Sequence, residues 1–302
     1  PILRHTHVLP DIRFDVGSQV TSFNAIEVDH DSFISRYNME EWGKSLSSTT
    51  SFIEHGIDTD FWSGGDSYDR KNVCISVVND WPNRDWCCGW NLWQQTVKFN
   101  SSNQLPIKVL GSSPGLSEPA PSLEALREEY KKSSIFLNTS IHSPVPTVLM
   151  EAMACGCAIV STNNCMIPEI VQHGENGLLA NTPEELREHC EYLLNNPDEA
   201  RRLGDNAKAT IINEFNLDRF VESWNKQFFN VIQNYRKYNK MGMGVQDIND
   251  LLFDTSGSVA SVLNIETIVD RLKELGLTIE EQFINSETMQ SIITARRNNN
   301  EG

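Results

Sequence analysis

The sequence lacks any apolar run close to the ~20 residues that a membrane-spanning helix needs. It also lacks an apolar segment near Pro1 of the kind that begins a secreted protein. We therefore expect no transmembrane segment and a cytoplasmic protein. An excess of positive charge is lacking as well, because the 302 residues carry a formal net charge of −16. A chain this acidic repels polyanions at long range, so nucleic acid is not expected as a partner.

The seven cysteines lack the paired two-residue spacing that is typical of a zinc site. They occur instead as Cys87-Cys88, as Cys155-x-Cys157 and singly. An odd number of cysteines within apolar segments favours reduced thiols in a cytosol. Neither a metal site nor a resident cofactor is expected.

Residues 133–177 contain the clearest structural pattern of the sequence. Residues 135–137 and 158–160 are short apolar runs typical of parallel strands buried on both faces, and a helix between them completes a β-α-β unit. The proline at position 146 suits a first helical turn, so we expect the helix to begin near Pro146 or Thr147. Its first free amides point out of the carboxyl edge of the sheet, where they favour an anion such as a phosphate.

Glu151 lies one turn further into this helix. A carboxylate there would repel a phosphate placed too close to it, but it is well placed to accept hydrogen bonds from the ribose hydroxyls of a nucleotide, beyond the phosphate. The alternative is that Glu151 is an ordinary solvated or capping acid on a crossover helix.

Strands and helices alternate before and after this unit. Strands are predicted at 74–78 and 107–110, and helices at 90–99 and 122–131, with a loop at 79–89. Such alternation predicts an α/β fold with a doubly wound, Rossmann-like parallel sheet. Further helices are predicted at 183–195, 197–214 and 217–238.

The run SPVPTVLMEAMACGCAIVSTNNCMIPEIVQHGENGLLA resembles the nucleotide-sugar site of retaining glycosyltransferases of the GT-B fold, namely glycosyltransferase family 4, also called glycosyl transferases group 1. In that family two glutamates separated by seven residues precede A-M-A-x-G, followed by P-E-I-V and G-x-N-G. Glu151 matches the second glutamate, residues 168–171 match P-E-I-V, and residues 174–177 match the turn. Ser143 occupies the position of the first glutamate, which in the family contacts the transferred sugar.

The resemblance implies roles for further residues. Arg84 lies in the loop where family members carry basic residues that bind the diphosphate, and an arginine there could also stabilise the leaving group. The alternative is a surface arginine paired with Asp80 or Asp85. The turn after the 107–110 strand resembles a family turn near the nucleotide. Donor binding is accordingly assigned to Arg84, Gly111, His142, Ser143, Pro146, Thr147, Val148 and Glu151.

Residues 1–65 resemble the end of the family's acceptor-side domain, with the interdomain linker at 54–61. We expect this first domain to be partial, because the front half of such a domain does not precede it. His7 is the candidate catalytic histidine of the acceptor side, although a core histidine at a strand end is the alternative. The predicted domains are 1–65, the nucleotide-sugar domain at 66–216, a crossing helix at 217–240 and a helical extension at 241–302.

The resemblance implies a glycosyltransferase that moves a sugar, with retention of configuration, from a nucleoside-diphosphate donor to a glycan, lipid or small-molecule acceptor. His7 and Arg84 are the expected catalytic residues, and no metal is expected. Because the first family glutamate is replaced, two alternatives stay open. One is a catalytically impaired nucleotide-sugar-binding module, and the other is a different GT-B enzyme such as a nucleotide-sugar epimerase. The oligomeric state is not predicted.

Overall fold

The computed structural model describes residues 1–62 and 70–239. In chain order, the regular elements within them are β1 (Leu3–Thr6), α1 (Val16–Ala25), β2 (His30–Phe33), α2 (Arg36–Glu41), β3 (Thr50–Phe52), α3 (Thr59–Trp62), β4 (Lys71–Val77), a 3₁₀ turn (Trp81–Arg84), α4 (Asp85–Cys88), α5 (Trp90–Val97), β5 (Ile107–Leu110), α6 (Leu123–Lys132), β6 (Ser133–Asn138), α7 (Thr147–Ala154), β7 (Ala158–Ser161), α8 (Ile167–Ile170), β8 (Leu178–Leu179), α9 (Pro183–Asn195), α10 (Pro197–Glu214) and α11 (Leu217–Asn239).

The chain divides into two compact units. Within the described residues, unit 1 comprises Pro1–Ile34, Trp42–Ile53 and the part of α11 from Glu222, and unit 2 comprises Ser35–Glu41 and the chain between Glu54 and Val221. The predicted helical extension at 241–302 lies outside the described residues. The domain limits inferred from the sequence stay predictions.

Unit 1 is built on a parallel sheet with the strand order β1-β2-β3. One face of this sheet is polar and buried. His30 Nε2 lies 3.0 Å from Ser51 Oγ, which donates to Gln227 Oε1 of α11 at 2.9 Å. Burial lowers the pKa of His30 to about 4, although the neighbouring Asp31 acts in the opposite direction. The chain of hydrogen bonds shows why polar residues occupy strands there, since each buried polar group costs free energy unless it is paired.

Unit 2 is built on a five-stranded parallel sheet with the strand order β5-β4-β6-β7-β8. The strands β6 and β7 are buried along nearly their whole length, and each contains an apolar run of three residues, at 135–137 and 158–160, as expected for strands covered on both faces. Alternate residues serve opposite faces of the sheet. Ile135 and Leu137 join the core that α5 and α9 complete, whereas the ring of Phe136 packs on Tyr130 of α6 at 6.0 Å between centroids.

The α/β class with a doubly wound Rossmann-like sheet is confirmed. The strands predicted at 135–137 and 158–160 form within β6 and β7, and the helix predicted to begin near Pro146 or Thr147 is α7. The predicted helices at 183–195, 197–214 and 217–238 correspond to α9, α10 and α11. The prediction of a loop at 79–89 is wrong, because a 3₁₀ turn and α4 occupy most of it.

Across the two described ranges, 1–62 and 70–239, no helix is both long enough and apolar enough to cross a bilayer. All seven cysteines are free thiols, and six of them are buried.

Candidate functional site

The strand order of the unit 2 sheet reverses beside β4. The chain leaves β4 to form β5 on one side and later forms β6 on the other. Doubly wound sheets bind ligands outside the carboxyl ends of the two strands at such a reversal. The segments that follow β4 and β6 therefore form the candidate site.

Main-chain hydrogen bonds and a close backbone contact connect these two segments. The amides of Ile141 and His142 both donate to the carbonyl oxygen of Cys87, at 2.9 and 3.1 Å. Gly89 has a φ of 65°, and a Cβ added to it would lie 1.9 Å from the carbonyl oxygen of Thr139. Only glycine fits this approach without movement of the main chain. The segment after β6 is thus held at a fixed place against the segment after β4.

The amino terminus of α7 opens into the candidate site. Its cap residue is Pro146, which has no side-chain oxygen to satisfy the first amides. The amide of Leu149 donates to the carbonyl oxygen of Pro146 at 3.0 Å. The amides of Thr147 and Val148 make no hydrogen bond to any residue that the structure describes. Two free amides and the positive end of the helix dipole form a place suited to a phosphate.

His142 and Ser143 lie in the segment that leads from β6 to α7, and both are half-buried. The imidazole of His142 lies 6.0 Å from the nearer ring of Trp86, centroid to centroid. Trp86 belongs to α4, so this contact joins the same two segments as the main-chain bonds. The structure therefore brings the predicted residues from His142 to Glu151 together in one turn of chain and the helix that follows it.

Glu151 lies on α7 with its carboxylate directed toward α6. Its Oε2 accepts a hydrogen bond from Tyr130 Oη at 3.2 Å. Its Oε1 makes no hydrogen bond within the part of the chain that the structure describes. Burial raises the pKa of Glu151 to about 7, while the bond from Tyr130 acts to lower it. The alternative of an ordinary solvated acid does not fit this environment.

Arg84 ends the 3₁₀ turn after β4 and is exposed. The Asp80 carboxylate accepts a hydrogen bond from Asn83 Nδ2 at 2.8 Å, and the Asp85 carboxylate accepts one from the Asn91 amide at 2.7 Å. The ion pair that the sequence allowed between Arg84 and either aspartate is not formed among the described residues. The guanidinium is therefore available to an anion at this edge of the sheet.

The tryptophans of this region have different environments. Trp81 is fully buried, donates from Nε1 to the carbonyl oxygen of Cys88 at 2.9 Å, and packs on Trp93 with ring centroids 4.8 Å apart. Trp93 is also fully buried. Of the two tryptophans between β4 and α5, Trp86 is the half-buried one.

Gly111 follows β5 with a φ of 114°, and a Cβ added to it would lie 2.2 Å from the carbonyl oxygen of Val78. The nearby hydroxyl of Ser113 donates to the same carbonyl at 3.2 Å. The glycine is thus explained by close packing of the turns after β4 and β5. Its predicted contact with a donor stays a prediction.

His7 belongs to unit 1, whereas the other predicted site residues belong to unit 2. It directly follows β1, is half-buried, and lies 6.3 Å from the ring of His5. Burial lowers the pKa of His7, so the neutral imidazole is favoured at neutral pH. A neutral imidazole can act as a general base.

Metal ions in proteins are commonly held by groups of three or more histidine, cysteine, aspartate or glutamate side chains. Residues 1–62 and 70–239 contain no such group that could hold a metal ion.

Tyr130 is the one site residue that the sequence did not reveal. It is separated from Glu151 by 21 residues, and the two meet because α6 and α7 pack side by side on the same face of the sheet. No local pattern marks such a pair. In the sequence, Tyr130 is visible only as an aromatic residue at the end of an amphipathic helix.

Unit 2 is a Rossmann-like α/β unit, and comparisons with known proteins agree with this fold. Residues 120–210 match the model of the family "Glycosyl transferases group 1". Alpha-maltose-1-phosphate synthase of Mycolicibacterium smegmatis is 34% identical over 105 residues, which cover 32% of this chain and 27% of that protein. N-acetyl-alpha-D-glucosaminyl L-malate synthase of Bacillus anthracis is 27% identical over 103 residues, covering 33% and 27%. The matched segment thus spans about a quarter of the length of these relatives.

Solved structures with a similar fold include the following two. The crystal structure of Anabaena Alr3699/HepE in complex with UDP and glucose has a TM-score of 0.62 at 15% identity, covering 76% of this chain and 71% of that one. Sucrose-phosphate synthase from Thermosynechococcus elongatus has a TM-score of 0.62 at 16% identity, covering 76% and 68%. These findings confirm the resemblance to glycosyl transferases group 1 and the Rossmann-like fold that the sequence predicted.

Proposed function

We propose that this protein is a retaining glycosyltransferase that takes a hexose from a nucleoside-diphosphate sugar. The observation that carries the proposal is the amino terminus of α7, where the free amides of Thr147 and Val148 precede the half-buried Glu151 at the switch point of the sheet. The helix end can bind phosphate, and Glu151 one turn further in can bind hydroxyls. Diphosphate and ribose follow each other in the same order in a nucleotide. Residues 120–210, which contain this helix, match the glycosyltransferase family.

Each group has a role in this proposal. The α7 amides and Arg84 bind the diphosphate and stabilise the negative charge that grows on it as the bond to the sugar breaks. Glu151 accepts hydrogen bonds from the ribose. His7 serves the acceptor side, where a neutral imidazole can take the proton of the attacking hydroxyl. The reaction is proposed to need no metal or other resident cofactor, and unchanged turnover in excess EDTA would support this part.

Support for a sugar nucleotide as donor also comes from the similar proteins. Two of the relatives are named as an alpha-maltose-1-phosphate synthase and an N-acetyl-alpha-D-glucosaminyl L-malate synthase. The structure of similar fold from Anabaena was determined with UDP and glucose. We propose the same donor class here and leave the nucleotide and the acceptor, whether glycan, lipid or small molecule, to the experiment.

The second candidate is a nucleotide-sugar-binding module with impaired catalysis. It is favoured by Ser143, which stands eight residues before Glu151, where the family carries its first glutamate. A serine hydroxyl is shorter than a carboxylate and uncharged, so it holds a sugar hydroxyl less strongly. A different GT-B enzyme, such as a nucleotide-sugar epimerase, is a third candidate with no separate observation in its favour.

Donor turnover in the absence of acceptor separates these candidates. The protein is incubated with UDP-, GDP- and ADP-linked glucose and N-acetylglucosamine, and free nucleotide, free sugar and altered donor are quantified. Release of sugar with the anomeric configuration of the donor supports the retaining transferase. Binding without turnover supports the module, and a donor converted to its epimer supports the third candidate.

Ser143→Glu provides a second test of the same question. If the missing carboxylate limits catalysis, this variant should raise turnover without tightening binding of the free nucleoside diphosphate. The matched control is Ser101→Glu, which adds the same charge on an exposed turn between α5 and β5, at the opposite edge of the sheet. Equal turnover in both variants and the wild type would show that position 143 does not set the rate.

A further inference from the structure

Tyr130 is the single described residue whose side chain hydrogen-bonds to the Glu151 carboxylate, with Oη donating to Oε2 at 3.2 Å. A fully buried phenol that donates to a half-buried carboxylate is costly to desolvate and has to be held in place. The contact joins α6 to α7 beneath the candidate nucleotide site.

Tyr130 is fixed at both its ring and its main chain. The ring packs on Trp62 and Phe136, with centroids 5.9 and 6.0 Å away. The carbonyl oxygen of Tyr130 accepts hydrogen bonds from Arg70 Nη1 and from the Cys157 thiol, both at 3.1 Å. The phenol is therefore a hydrogen-bond donor at a fixed position, and its bond to Glu151 orients the carboxylate.

The fixed contact leaves Glu151 with a defined hydrogen-bonding capacity. Oε2 has one lone pair occupied by Tyr130 and one open, and Oε1 makes no bond to a described residue. A carboxylate in this state can accept from two adjacent hydroxyls, which is the arrangement at the 2′ and 3′ positions of ribose. Without the phenol, the carboxylate could turn and meet the two hydroxyls in several orientations.

We infer that Tyr130 is a positioning residue that makes the nucleotide site selective for ribonucleotides. Its phenol holds Glu151 in the orientation that accepts from both ribose hydroxyls, so a 2′-deoxynucleotide, which lacks one of them, loses a bond. This inference rests on the proposed function, because it specifies the ligand of the same site.

The charge of Glu151 provides a second readout. Burial raises the pKa of Glu151 to about 7, and the bond from Tyr130 acts to lower it. Other titratable groups close to the pair are the thiols of Cys155 and Cys157, whose pKa values burial raises, and the guanidinium of Arg70. Burial keeps both thiols neutral between pH 6 and 9, so of these two thiols and Glu151 only the carboxyl group has a pKa in that range.

The deprotonated carboxylate accepts from both hydroxyls, whereas the protonated form loses one acceptor site. Nucleotide affinity should therefore rise with pH through a midpoint near the pKa of Glu151. Removing the phenol removes a bond that favours the charged form, so the midpoint should move to higher pH. A merely structural tyrosine would not move it.

The test is calorimetric titration of the wild type and Tyr130→Phe between pH 6 and 9. The probes are UDP, GDP and ADP, each beside its 2′-deoxy form. The matched control is Tyr192→Phe, which removes a phenol from an exposed position on α9. We expect Tyr130→Phe to weaken ribonucleotide binding by about five- to tenfold, which corresponds to the loss of about one hydrogen bond. Binding of the 2′-deoxynucleotide should weaken less. The pH midpoint should rise, and Tyr192→Phe should change neither quantity.

Glu151→Gln keeps the test decisive if Tyr130→Phe does not fold. It preserves the shape of the side chain but cannot titrate, so the pH dependence should fall to the part that the terminal phosphate of the ligand contributes, and the preference for ribose should shrink. A pH dependence in this variant as large as that of the wild type would overturn the inference.

The outcomes separate this inference from the proposed function. Tight nucleotide binding with the same ribose preference and the same pH midpoint in wild type and Tyr130→Phe overturns the role of Tyr130 and leaves the nucleotide site intact. Failure of the folded wild type to bind any of the three nucleoside diphosphates overturns both.

Discussion

Replacing Gly89 with alanine should destabilise unit 2 and displace the segment that follows β6. Two costs contribute. The φ of 65° places the residue in the left-handed region, which costs a residue with a Cβ roughly 1–2 kcal/mol. The new Cβ would also lie 1.9 Å from the carbonyl oxygen of Thr139, and relieving such overpacking costs about 1–3 kcal/mol more. The expected loss in the free energy of unfolding is therefore about 2–5 kcal/mol.

Gly174→Ala is the matched control for this substitution. Gly174 has a φ of 81°, but a Cβ added to it meets no atom within 4 Å. This variant should pay only the backbone cost, about 1–2 kcal/mol. Urea unfolding followed by tryptophan fluorescence measures both variants, and the difference between them isolates the contact with Thr139. If Gly89→Ala loses no more stability than Gly174→Ala, the segments after β4 and β6 do not approach each other as described.

Three further predictions concern individual side chains. Glu151→Ala should weaken nucleoside-diphosphate binding by about 1–3 kcal/mol, the cost of the hydrogen bonds that are no longer made. Calorimetric titration measures this loss, and the control Glu188→Ala on α9 should leave the affinity unchanged. An unchanged affinity in Glu151→Ala would show that Glu151 does not bind the nucleotide. Arg84→Ala should weaken binding of a nucleoside diphosphate but not of the nucleoside. The control Arg201→Ala on α10 should change neither affinity. Equal losses of affinity for both ligands in Arg84→Ala would indicate a structural role for Arg84. His30 has a pKa lowered to about 4 by burial, so the unfolded state takes up its proton first and stability should fall as the pH drops from about 6.5 to 4, by up to about 3 kcal/mol. His30→Gln should remove this component of the pH dependence in urea unfolding, and an unaltered slope would contradict the assignment.

The features that the sequence predicted well are those that depend on neighbouring residues. The apolar runs of β6 and β7 are buried on both faces, and that burial is visible as composition. The start of α7 follows from Pro146, and the start of α9 follows from Thr182, whose hydroxyl accepts from the Glu185 amide. Local chemistry determines these boundaries, so reasoning along the chain can find them.

The features that were missed depend on residues far apart in the sequence. Gly89 and Thr139 are 50 residues apart, and their contact decides how the segment before α7 is held. The contact of Tyr130 with Glu151 depends on how two helices pack on one sheet face. Neither relation leaves a local pattern.

Strand β2 of unit 1 shows a different reason why a structural element is hard to predict from the sequence. β2 has the sequence His-Asp-Ser-Phe, and all four residues are buried. A strand with three polar residues does not show the apolar alternation that marks a half-buried strand. It is stable because partners elsewhere satisfy its side chains: Asp31 accepts from Arg4 at 2.7 Å and pairs with Lys44 at 3.0 Å. Only the assembled unit reveals these partners.

The central claim is that a nucleoside diphosphate binds at the carboxyl edge of the unit 2 sheet. A crystal structure of the protein with bound UDP, or with whichever of UDP, GDP and ADP binds most tightly, tests it most directly. We expect diphosphate oxygens within hydrogen-bonding distance of the Thr147 and Val148 amides, with the ribose hydroxyls bound to Glu151. A nucleotide bound elsewhere, with no contact to the amino terminus of α7, would contradict it.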